Sequence, residues 1–139
     1  YSMSRNDVAI VHPPFEITPQ LPVTLGRLAS HPFRLPMCAE PADRGLELVV
    51  QVVVPATAAP PALPVSFNDC WPSVAAEPTD ALLFPCGSLT HHVPANRAWN
   101  FRFPLGLVRD GWNEIAVENG GDDPLTLLAL EVAIRPASA

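Results

Sequence analysis

Apolar and polar positions alternate with a period of two along much of this chain. In the last third, Trp99, Phe101, Phe103 and Leu105 fall on one side, with Asn100 and Arg102 on the other. A tight Arg109-Asp110-Gly111 turn leads into residues 112–117. Residues 119–124, rich in Gly, Asp and Pro, turn the chain again before a last run at 125–134. Alternation punctuated by Gly, Asn, Asp and Pro is the pattern of antiparallel strands with one buried face. Residues 45–54 make the strongest single strand. Leu46, Leu48, Val50, Val52 and Val54 share one face, and Val49 and Val53 stand beside Glu47 and Gln51 on the other. The density of β-branched side chains argues for strand over helix. The pattern places this strand centrally, with one face in the core and the other partly covered.

Shorter strand candidates are residues 8–11, 23–28, 33–38 (broken by Pro36), 62–67, 80–84 and 88–93. Residues 55–61 form a Pro/Ala loop and 70–79 a second loop, which holds Trp71-Pro72. Asn68-Asp69 turns the chain between them. About ten short strands with turn signals between them predict an all-β fold, an antiparallel β-sandwich over residues 1–139 as one domain.

Composition narrows the function classes. The 139 residues carry a net charge of −6, no lysine and only 16% charged residues, against about 25% in an average domain. The eight arginines are scattered, so no basic patch points to nucleic acid. The acidity gives no reason to expect an anionic membrane as partner, and no run of apolar residues is long enough for a membrane helix. Eighteen prolines belong at strand ends, edges and loops because each lacks a backbone donor. Tyr1 in first place is consistent with a processed or excised piece. Of the three cysteines, Cys70 and Cys86 flank proposed strands and suit a disulfide; the alternative is three buried free thiols behaving as small apolar groups. With no C-x-x-C pair, a structural zinc site of the usual spacing is not expected.

The order Leu-Val-Val-Gln-Val-Val-Val, then Val65-Ser66-Phe67-Asn68-Asp69, then Phe-Arg-Phe-Pro-Leu and Gly111-Trp112-Asn113-Glu114-Ile115-Ala116-Val117 resembles the galactose-binding-domain-like jelly roll over residues 45–135. Asp69 stands where that family's turn carries glycine. The resemblance implies a jelly-roll sandwich of the kind appended to glycoside hydrolases and other secreted enzymes. It implies either carbohydrate binding or docking against a catalytic neighbour. The family's binding loops vary, so no binding residue carries over from it.

Candidate chemistry follows from the residues. Sugar-binding modules set aromatic faces against apolar sugar faces. Trp99 is in register with Phe101 and Phe103 and reads as core. Trp71, in a loop, is the best exposed platform, and Trp112 turns outward if Asn113 faces in. Asn68 and Asp69 sit beside Trp71 as polar ligand candidates. Asp122, Asp123 and Glu118 have the oxygens for a calcium ion, and the resemblance adds weight to a structural calcium there; otherwise they are solvated turn residues. His91 and His92 point to opposite faces of a strand and read as solvated or satisfied, or as ligands of a metal-dependent jelly-roll enzyme. No nucleophile motif or phosphate-cradling glycine loop occurs, so no catalytic residue is named. The function expected is a non-catalytic accessory module that binds carbohydrate or docks to a glycan-active enzyme. The alternative is a structural or assembly domain that buries one face against another subunit and takes no small ligand.

Overall fold

A computed structural model describes residues 2–4, 10–12, 16–18, 21–39, 45–55, 58, 62–72, 78–79 and 96–136. Their regular structure is strand throughout, apart from one 3-10 turn at Leu105–Leu107. The strands are β1 (Ser2–Ser4), β2 (Ile10–His12), β3 (Glu16–Thr18), β4 (Val23–Leu25), β5 (Ser30–Met37), β6 (Leu46–Pro55), β7 (Val65–Phe67), β8 (Pro78–Thr79), β9 (Asn96–Phe103), β10 (Gly111–Glu118), β11 (Leu125–Leu127) and β12 (Ala129–Pro136). Every pairing among them is antiparallel. The strands form a five-stranded sheet ordered β1-β12-β6-β9-β8, a three-stranded sheet ordered β5-β10-β7, and the pairs β11-β4 and β2-β3.

The two larger sheets contribute to one hydrophobic core. Val50 and Val52 of β6 and Phe101 and Phe103 of β9 join Phe33 of β5, Phe67 of β7 and Ile115 of β10 in the same cluster. The Phe67 and Phe103 rings meet across the sheets, with centroids 5.8 Å apart and planes tilted by 45°. The expected row of Trp99, Phe101, Phe103 and Leu105 is buried.

Several local expectations are corrected. Pro36 does not break β5, which runs uninterrupted from Ser30 to Met37. The reason is its place at the sheet edge. Pro32, Arg34 and Pro36 share one parity, so their backbone nitrogens point away from β10, where no ladder donor is needed. The same prolines disfavour pairing of that edge with another chain. Residues 125–134 are two strands, not one. The chain passes from β11, paired with β4, to β12, paired with β6, at Leu128, whose N–H donates to the Val53 carbonyl at 2.8 Å. β6 is central as expected, and its second face is buried at Val49, Gln51 and Val53, all at 0–1% exposure, with Glu47 half-buried at its start. The 23–28 candidate ends at Leu25, where the chain enters a turn closed by Ala29 N–H on the Gly26 carbonyl at 3.1 Å. The 62–67 candidate shortens to Val65–Phe67 because Pro64 has no donor. Within the expected 70–79 loop, Pro78–Thr79 pairs with β9. Candidates 80–84 and 88–93 lie outside the described residues.

One close approach is set by glycine. The Gly120 N–H donates to the Ala62 carbonyl at 3.2 Å, and a Cβ at Gly120 would overlap that carbonyl oxygen. Gly120→Ala is therefore expected to cost about 2 kcal/mol through overpacking. Urea denaturation should show a lower midpoint with an unchanged slope.

Candidate functional site

The corner where β7 meets β10 is built by a two-residue turn. Asn68 and Asp69 both hold positive φ, 47° and 66°. Phe67 and Cys70 exchange backbone hydrogen bonds around them, at 2.9 and 3.0 Å. This is the geometry of a type I′ hairpin, whose twist matches paired strands and which favours Asn, Asp and Gly. Asp69 fills the place of the expected glycine because Asp tolerates the left-handed region better than most residues.

The Asn68 side chain turns inward. Its Nδ2 donates to the Leu107 carbonyl at 2.8 Å and to Asn113 Oδ1 at 2.9 Å, while its Oδ1 accepts from Glu114 N–H at 2.9 Å. Asn113, 1% exposed, ties down the loop before β10. Its Oδ1 accepts from Arg109 N–H at 2.8 Å, and its Nδ2 donates to the carbonyls of Arg109 and Gly111, both at 3.0 Å. Asn68 and Asn113 thus lock the hairpin, the 3-10 turn and the start of β10 into one corner. Asn68 is a frame residue here, and Asp69 is exposed beside it.

With Asn113, Ile115 and Val117 buried, Trp112 turns outward and is 52% exposed. Trp71, one residue past the Phe67–Cys70 bridge, is 66% exposed. Trp99 is 8% exposed and belongs to the core. By ladder spacing, Trp71 and Trp112 lie on the order of 15 Å apart along and across the three-stranded sheet. On the outward side of that sheet Trp112 is paired with Pro36, and Glu114 with Arg34. Arg34 Nε lies 3.8 Å from Glu114 Oε2, and both side chains are well exposed.

Asp122 pairs with Arg27 at 3.0 Å on the surface. Asp123 is exposed, and its carbonyl accepts from Asn119 Nδ2 at 2.7 Å. Glu118 is half-buried on β10. Among the described residues no three His, Cys, Asp or Glu side chains are disposed to hold a metal ion. His91, His92 and Cys86 lie outside the described residues. Cys38 and Cys70 are both exposed, which corrects the reading of them as buried thiols. They sit at strand ends, where the chain leaves the covered sheet.

Two features of the site were not singled out from the sequence. The Arg34–Glu114 pair joins residues distant in the chain and depends on strand register. Asn119 is fully buried, its Nδ2 donating to the Leu25 and Gly26 carbonyls, both at 3.2 Å, and its Oδ1 accepting from Gly121 N–H at 3.0 Å. Its position directly after β10, in phase with Val117, is the signal that would have found it. No protein-family model matches the chain, and a search of curated proteins finds no match.

Proposed function

We propose that this chain is a non-catalytic β-sandwich module of the galactose-binding-like jelly-roll type, and that it binds carbohydrate through Trp71 and Trp112. The observation that carries this reading is the contrast among the three tryptophans. One is core, and two stand in water beside a corner that the side-chain hydrogen bonds of Asn68 and Asn113 tie together. An indole face in water is an unspent apolar surface. Held rigidly, it meets the C–H face of a sugar ring at little ordering cost. No calcium is required by this reading.

A glycan array probed with the wild-type chain, Trp71→Ala and Trp112→Ala tests it. The wild type is expected to bind at least one glycan class, and each variant to bind it at least about tenfold more weakly, roughly 1.4 kcal/mol. The second reading is docking to a neighbouring catalytic domain or subunit, favoured by the exposed Trp112, an aromatic residue of the kind enriched at interfaces. A wild type that binds no glycan would abandon the first reading for the second.

A further inference from the structure

We infer that the ligand is a neutral sugar, read by the Glu114–Arg34 pair while its ring lies on Trp112; this rests on the carbohydrate-binding reading above. Three observations meet at one place. Trp112 and Glu114 are two residues apart on the outward face of β10, roughly 7 Å along the strand. Arg34 stands directly across from Glu114 on β5, and Pro36 directly across from Trp112. The four side chains therefore make one outward patch, with an apolar half and a charged half.

The chemistry of the charged half fits hydroxyl groups. A carboxylate only accepts hydrogen bonds and a guanidinium only donates them. A sugar hydroxyl does both, so adjacent hydroxyls can donate to Glu114 and accept from Arg34. At 3.8 Å and exposed, the ion pair is loose and costs little to open. Hydrogen bonds to charged partners are the stronger kind. The apolar half supplies the indole face, whose negative quadrupole attracts the C–H edge of a sugar ring.

Charge selects against acidic glycans. The pair sums to zero, and the chain as a whole carries −6, so a uronate or sulfated polymer meets repulsion from the field and from Glu114. Trp71 lies on the order of 15 Å away, farther than one ring reaches. A chain of several sugars is therefore the favoured form over a monosaccharide.

The test is titration of the intact chain with neutral gluco-, galacto- and manno-oligosaccharides and with an oligogalacturonate of equal length, for wild type, Trp112→Ala, Glu114→Gln, Arg34→Gln and Arg27→Gln. Arg27 belongs to an exposed ion pair elsewhere and controls for bulk charge. The expected result is binding of a neutral oligosaccharide, lost in Trp112→Ala and weakened about fivefold or more in Glu114→Gln and Arg34→Gln, with Arg27→Gln unchanged. Circular dichroism confirms that these outward-facing variants are folded. Neutral binding that survives both charge substitutions, or a preference for the oligogalacturonate, overturns this inference and leaves the carbohydrate reading standing. Failure of the wild type to bind any of these sugars overturns both.

Discussion

Phe67→Ala is expected to lower the free energy of unfolding by about 4 kcal/mol, within the range for truncating a fully buried phenylalanine. Phe67 is at 0% exposure and comes from a strand of only three residues. Its ring reaches from the three-stranded sheet to Phe103 on the five-stranded sheet. Truncation removes the transfer gain of the ring and opens a cavity between the layers, and neither sheet can move in alone to fill it. Because the contact joins two sheets, the loss should couple to Phe103. A double-mutant cycle with Phe103→Leu is expected to give an interaction energy of about 1 kcal/mol, the usual excess of an aromatic pair over its area. Chemical denaturation of the four proteins measures it. Additive losses would mean that the sheets do not share the core at this point.

Asn113→Ala is expected to cost about 3 kcal/mol, although only a small side chain is removed. Asn113 accepts from Arg109 N–H and Asn68 Nδ2 and donates to two carbonyls. Its loss strands several polar groups at once, and each buried group left without a partner costs about 1–3 kcal/mol. Water entering from the exposed Asp110–Gly111 turn recovers part of this. Asn113→Asp keeps the shape but sets a buried carboxylate oxygen against the Arg109 and Gly111 carbonyls, so it should cost at least as much as alanine. The same variants should also loosen Trp112, the next residue. Hydrogen exchange of the 109–114 amides is the measurement, with faster exchange expected in both variants than in the wild type.

The antiparallel strand character was legible because it is local. Alternation placed Trp99, Phe101 and Phe103 in the core, and the Asn68-Asp69 pair marked a tight turn that the structure closes as a type I′ hairpin. What escaped depends on neighbours in space. Pro36 reads as a break until β5 is known to be a sheet edge, where its missing donor is harmless. Residues 125–134 read as one strand because alternation does not report which sheet a strand joins; the switch at Leu128 follows from pairing alone. The second face of β6 reads as half-polar because of Glu47 and Gln51, yet Gln51 is fully buried.

The site divides along the same line. Trp71 was a candidate for exposure from its place between a turn and a proline, and Trp112 followed once Asn113 was set inward. The acids Glu118, Asp122 and Asp123 read either as oxygen ligands or as solvated turn residues, and sequence alone does not separate the two. In space Asp122 turns to Arg27, while the Asp123 carbonyl serves Asn119. The Arg34–Glu114 pair was invisible because its partners meet only through the β5–β10 register.

The claim that Trp71 and Trp112 receive a sugar chain is tested most directly by the indole N–H signals in a nitrogen-15 correlation spectrum, recorded while a neutral oligosaccharide is added. The account predicts that the Trp71 and Trp112 indole signals move with saturation while the Trp99 signal stays in place. Signals that all remain fixed at saturating sugar, or movement confined to Trp99, would contradict it.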